Sequence, residues 1–187
     1  MKRFLVIALL LSGTVCFAAD DLSKQATAFY SDNNYQKTMD LILQIPEEKR
    51  SAQDWLLLGN ILDDKGERDN AVFMYQKAIN TDSKYYKAYY NLANNYLENE
   101  QYNMALQNYK KASRLNDENP YVFYNMACAY MKLGDLKKAK TCLNKAIMYK
   151  SDVPEFHYNL AYVYKQLNKP KLAQTYLDNF NKLSQAQ

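Results

Sequence analysis

Three kinds of residue in this 187-residue sequence have side chains suited to acting on or holding a ligand: a single histidine, three cysteines, and asparagines and tyrosines that recur at a fixed interval. His157 would have to serve alone as a general base or metal ligand. It stands in register with Trp55, Tyr89 and Phe123, so a packing role is expected for it. Cys128 and Cys142 are too far apart for a redox pair, and without a histidine partner they do not make a zinc site. There is no His-Glu-x-x-His, glycine-rich phosphate loop or nucleophile elbow. No catalytic residue, metal or cofactor is therefore expected, and recognition chemistry remains. Asn91, Asn125 and Asn159 recur every 34 residues, as do Tyr90, Tyr124 and Tyr158. An amide offers a donor and an acceptor to the backbone of an extended peptide, and a tyrosine offers a flat apolar face with a polar tip. The alternative is that both ladders pack and orient neighbouring helices.

The elements that must position these ladders follow from the same period. Trp55, Leu58, Gly59 and Leu62 run i, i+3, i+4, i+7, the spacing of one buried helical stripe, and recur as Tyr89, Leu92, Ala93, Tyr96, then Phe123, Met126, Ala127, Tyr130, then His157, Leu160, Ala161, Tyr164. A second stripe follows each: Ala71, Tyr75, Ala78; Ala105, Tyr109, Ala112; Ala139, Leu143, Ala146; Ala173, Leu177, Phe180. Its small residues let two helices approach closely. We call the two helices of each unit A and B. Gly66, Gly134 and Asn168 fall where helix A must end and the chain reverse, with Glu100 the exception. Pro120, Pro154 and Pro170 suit the first turns of helices, Asn119 is a candidate N-cap, and Ser51 with Asp54 forms a capping-box variant.

This pattern, Trp-x2-Leu-Gly followed by Ala-x3-aromatic-x2-Ala on a 34-residue period, resembles the tetratricopeptide repeat. Segments such as Tyr90-Asn91-Leu92-Ala93-Asn94 and Tyr124-Asn125-Met126-Ala127 look very like its first-helix core. The resemblance implies an all-α fold, a right-handed α-solenoid of helix-turn-helix repeats at 52–85, 86–119, 120–153 and 154–187. A divergent N-terminal hairpin is expected over 19–51, with Leu22, Ala26 and Phe29 as a partial stripe and Thr38 in place of the small alanine.

In this family the A helices line a concave groove. The resemblance therefore implies a partner-binding surface of Asn60, Asp64, Lys87, Tyr90, Asn91, Asn94, Glu98, Tyr124, Asn125, Tyr158, Asn159 and Tyr162. A terminal-carboxylate clamp is not expected, because tyrosines stand where a clamp lysine would be and only Lys87 and Lys165 supply cations there. Many such arrays add a polar helix after the last repeat. Here Tyr176, Phe180 and Leu183 on the final helix form a candidate docking edge for a partner or a second copy.

The N-terminus is of another kind. Lys2 and Arg3 precede an apolar run, and Cys16-Phe17-Ala18 places small residues where a signal peptidase reads, so 1–18 is expected to be a signal peptide. The protein is expected to be exported, periplasmic or secreted. The alternatives are anchoring by an uncleaved signal or a lipidated Cys16; otherwise a membrane is reached only through a partner. Losing Lys2 and Arg3 from 24 basic and 20 acidic residues leaves 22 against 20, which implies no nucleic-acid partner. Lys137, Lys138 and Lys140 read as a solvated face. The expected function is a non-catalytic scaffold of the cell envelope binding a protein or peptide segment. The alternatives are an assembly or pilot factor docking through its C-terminal repeat, and a glycan-binding envelope protein.

Overall fold

A computed structural model describes residues 18–186. The expected signal peptide, including Cys16, lies outside the described residues up to position 17. Among the described residues every regular element is helical, and no helix is long and apolar enough to cross a membrane. The chain divides into two compact units, Met1–Ala88 and Tyr89–Gln187.

The first unit contains α1 (18–31), α2 (Tyr35–Gln44), a 3-10 turn at Glu47–Lys49, α3 (Ala52–Asp64) and α4 (Arg68–Thr81). Helices α3 and α4 form an antiparallel hairpin whose stripe of Trp55, Leu58, Gly59, Ala71, Tyr75 and Ala78 is buried. The hairpin is tight at Gly59: a Cβ there would stand 2.5 Å from a ring carbon of Tyr75, so the glycine is what admits the ring. The divergent α1–α2 hairpin buries Ala26, Leu41, Ile42 and Ile45, while Leu22 and Phe29 are only half-buried. Thr38, in the place of the repeated alanine, is fully buried. Its hydroxyl has the carbonyls of Asn34 (3.0 Å) and Ala26 (3.3 Å) as acceptors, so the polar atom is satisfied.

The entry to α3 carries a buried carboxylate. Asp54 accepts from the Ser51 backbone N–H at 2.8 Å and the Ser51 hydroxyl at 2.7 Å, while the Asp54 N–H donates back to Ser51 Oγ. That is the expected capping box. The same carboxylate also accepts from the Ser23 hydroxyl of α1, 2.7 and 2.6 Å from its two oxygens. The cap of one repeat is therefore also a tie to the preceding one.

Helix α5 (Tyr86–Glu98) starts at the end of the first unit. The second unit continues with α6 (Tyr102–Leu115), α7 (Pro120–Lys132), α8 (Leu136–Tyr149), α9 (Pro154–Gln166) and α10 (Pro170–Ser184). Pro120, Pro154 and Pro170 each open a helix, and Asn119 caps α7 by accepting from the Tyr121 N–H at 3.0 Å. The hairpins α7–α8 and α9–α10 stack with α6 against α7 and α8 against α9. The alanine at each end of the B stripe is fully buried in α6 and α8.

Every A helix ends in the same way. Asn33, Gly66, Glu100, Gly134 and Asn168 all have φ between 56° and 78°. The next residue's N–H bonds back to a helix carbonyl at 2.8 to 2.9 Å, as Gln101 does to Tyr96 and Asp135 to Tyr130. Glu100 is thus an exception in residue type and not in geometry, because tertiary packing imposes the reversal on a residue that disfavours it. Glu100→Gly is expected to raise stability by about 1 kcal/mol, read as a higher urea midpoint at unchanged slope.

Candidate functional site

In the first unit, the amide of Asn60 on α3 is held between two tyrosines. Its Nδ2 donates to the Tyr30 hydroxyl oxygen at 3.2 Å, and its Oδ1 accepts from the Tyr75 hydroxyl at 3.1 Å, which also lies 3.3 Å from Asp63 Oδ2. Burial is the main cause that raises the pKa of both phenols, keeping them neutral donors. Asp64 and Lys87 are exposed.

The second unit repeats this arrangement. Asn94 Oδ1 accepts from the buried Tyr109 hydroxyl at 2.6 Å and from Asn125 Nδ2 at 2.9 Å; Asn125 Nδ2 also reaches the Tyr90 hydroxyl oxygen at 3.2 Å. One repeat later, Asn159 Nδ2 donates to the Tyr124 hydroxyl oxygen at 3.0 Å, with Cys128 Sγ at 3.8 Å in the place of Asn94. Asn125 and Asn159, with Tyr90 and Tyr124, are therefore engaged between successive A helices: each of these two asparagines spends its N–H2 on the helix before it. Burial, then Cys128, pushes the Tyr124 hydroxyl up to about 12, against the pull of Asn159. Asn91 and Tyr90 are half-buried, and Glu98 is exposed.

Sequence reasoning placed Asn60 and Asn94 but missed their partners Tyr30, Tyr75 and Tyr109. The signal was a pair 15 residues apart: Asn60 with Tyr75 and Asn94 with Tyr109, then Cys128 with Leu143 and Tyr162 with Leu177. The amide is kept only where the B helix supplies a hydroxyl, because a buried hydroxyl without an acceptor is costly.

What this network leaves at the surface of the second unit is aromatic and mixed in charge. Tyr158 and Tyr162 on α9 are 52% and 49% exposed, and Tyr121 on α7 is 42% exposed. Glu155 and Lys165 lie exposed on α9 as well, and Glu98 lies exposed at the end of α5. These groups can stack on, cover and electrostatically register a bound chain.

The last helix differs from the other B helices. None of its residues is buried, and Tyr176, Leu177, Phe180 and Leu183 are half-exposed. Among the described residues no further helix covers α10. Phe180 stands where Ala78, Ala112 and Ala146 stand before it, and its ring leans on Tyr158 at a centroid distance of 5.2 Å. One repeat earlier the ring on the equivalent Tyr124 is Phe156, at 4.8 Å, supplied by the following A helix. Phe180 thus provides from its own hairpin a contact that elsewhere comes from the next repeat. A cavity of about 420 Å³ remains beside it, lined by Tyr158, Ala161, Tyr162, Lys165, Ala173 and Leu177 among others.

His157 is buried in the stripe, stacks with Tyr176 at 5.9 Å and lies with Nε2 2.8 Å from the Ser151 carbonyl, which can only accept. Nε2 therefore carries the proton, and Nδ1 is buried without a hydrogen-bond partner. Cys128 and Cys142 lie on the two helices of one hairpin as free thiols, and the described residues hold no group of three or more potential metal ligands. Burial raises the pKa of both thiols, that of Cys142 to about 11 despite nearby Lys145 and Lys110. A raised thiol pKa removes thiolate at neutral pH. Alkylation of native Cys142 by iodoacetamide at pH 8 is thus expected to be about a hundredfold slower than in the urea-unfolded chain, with the rate still climbing towards pH 11.

The chain matches a family model described as Tetratricopeptide repeat over residues 54–85 and 154–187, and one described as TPR repeat over 93–134 and 129–168. No curated protein sequence matches it. Among solved structures it is similar to MamA from Desulfovibrio magneticus RS-1, with 17% identity, 91% of this chain and 97% of that chain covered, and a TM-score of 0.80. It is also similar to Pseudomonas aeruginosa PilF, with 20% identity, 90% and 78% covered, and a TM-score of 0.79. At such identities the likeness establishes the fold alone, the all-α tetratricopeptide solenoid class expected from the sequence. With the repeat matched from residue 54 almost continuously to the end, and with the same hairpin, reversal and interhelix amide recurring along it, the chain belongs to the tetratricopeptide repeat family.

Proposed function

We propose that this chain is a non-catalytic scaffold that holds a protein or peptide segment on the A-helix face of its second unit, acting in the cell envelope after export. The observation that carries the reading is what the amide network leaves over. With Asn125 and Asn159 donating to their neighbours, the available surface of α5, α7 and α9 is a row of half-exposed tyrosines, Tyr121, Tyr158 and Tyr162, edged by Glu98, Glu155 and Lys165. Rigid rings with polar tips give contact area at low entropic cost, and the mixed charges set register. Export rests on the N-terminal sequence of Lys2, Arg3 and the apolar run after them.

A photo-reactive residue at position 162, introduced into the full chain in its native envelope, tests this. One envelope protein should be captured there and should be lost with Tyr158→Ala, an exposed substitution that leaves the helical circular dichroism unchanged. Capture of glycan strands at 162, or of a partner only from position 183 on α10, would overturn the reading. The second of those outcomes would favour docking through α10, the reading to which its lack of any buried residue lends weight.

A further inference from the structure

Helices α6 and α8 stand out from the other B helices in charge. Together they carry Lys110, Lys111, Arg114, Lys137, Lys138, Lys140 and Lys145, and no acidic residue. Helices α4 and α10 each mix both signs, with Asp69 and Asp178 among their cations. Some of these cations already have structural work. Lys138 is bound to Asp135 at 2.6 Å and lies over the Tyr130 ring, and Lys145 lies over Phe123. Lys110, Lys111 and Arg114 are exposed and have no ion-pair partner among the described residues.

These three cations line one wall of a groove of about 590 Å³, whose other wall comes from the end of α7 and the start of α8. Leu106 and Leu133 give it an apolar lining. Leu106, Lys110 and Arg114 are spaced one helical turn apart on α6, about 6 Å along the axis. Alternate residues of an extended peptide are about 6.6 Å apart and point the same way. The two spacings match.

We propose that this groove, on a surface separate from the A-helix face, binds an extended acidic segment of a partner protein. The segment carries carboxylates at alternate positions, for Lys110 and Arg114, preceded or followed on the same side by an apolar residue for Leu106. A single-stranded nucleic acid would need exposed rings for its bases, and the one ring lining the groove, Tyr130, is buried under Lys138. A flat anionic membrane would meet the helix ridges and leave the recessed Leu106 unused.

The probe is a fluorescein-labelled peptide of about ten residues, with a leucine followed by glutamates at alternate positions, titrated against the full chain by fluorescence anisotropy at several salt concentrations. Lys110→Gln/Arg114→Gln should weaken binding at least tenfold. Lys171→Gln/Lys182→Gln, the same charge change on α10, should alter it less than twofold, and a peptide with its glutamates moved to adjacent positions should bind about fivefold more weakly. All four substitutions fall on exposed side chains, and unchanged circular dichroism verifies the fold. Equal weakening by both double variants would reduce the effect to net charge and overturn the proposal. So would tighter binding of an oligothymidylate or of phosphatidylglycerol vesicles through Lys110 and Arg114. Tyr162→Ala should leave the peptide's affinity unchanged, so failure here is distinct from failure of the A-helix reading.

Discussion

Asp54→Ala is expected to destabilise the first unit by about 3 kcal/mol, combining a lost N-cap with the loss of charge-assisted hydrogen bonds in a buried place. The carboxylate is fully buried and accepts from the Ser51 N–H, the Ser51 hydroxyl and the Ser23 hydroxyl. Removing it leaves these donors unmatched at the junction of α1 and α3. Ser23→Ala, which breaks only the tie to α1, should cost about a third as much. Repeat arrays need not unfold in one step, so the measurement is amide hydrogen exchange resolved by helix. Protection should fall first in α1 and the first turn of α3. Unchanged protection in α1 would show that the tie carries no stability.

Asn94→Ala is expected to cost about 2 kcal/mol, most of it from the buried Tyr109 hydroxyl that loses its acceptor. The Asn125 amide, 2.9 Å from Asn94 Oδ1, keeps the Tyr90 oxygen as a second acceptor and contributes less. Tyr109→Phe alone should cost about 1 kcal/mol. The double variant should cost close to the larger single effect, since once the hydroxyl is gone the amide has one donor fewer to satisfy. An interaction energy of about 1 kcal/mol in urea unfolding is the expected result, and strict additivity would contradict the network.

Most of the backbone could be read before the structure because repetition averages out local ambiguity. One helical stripe is weak, but the buried alanines at 71, 105 and 139 and the prolines at 120 and 154 recur in register. Glu100 shows where residue type misleads: the reversal is imposed by the two helices it joins, so a poor left-handed residue still adopts φ 59°. The candidate site was legible only as to which residues lie near it. Asn125 and Asn159 stand on the A helices as expected, yet whether an amide faces a ligand or a neighbouring helix depends on hydroxyls supplied from other repeats, here those of Tyr90 and Tyr124. The basic run on α8 looked like solvated surface. Of that run only Lys138 lines the groove, whose cationic wall is supplied by Lys110, Lys111 and Arg114 of α6.

The ring at position 180 bears on how far these units are interchangeable parts. The second and third repeats present the same small side chain at this place to whatever follows, so each leaves room there for the next hairpin. The fourth has filled that space with its own phenylalanine. Grafting another repeat behind α10 would first require Phe180→Ala, and moving the fourth repeat into the middle of the array would carry the obstruction with it.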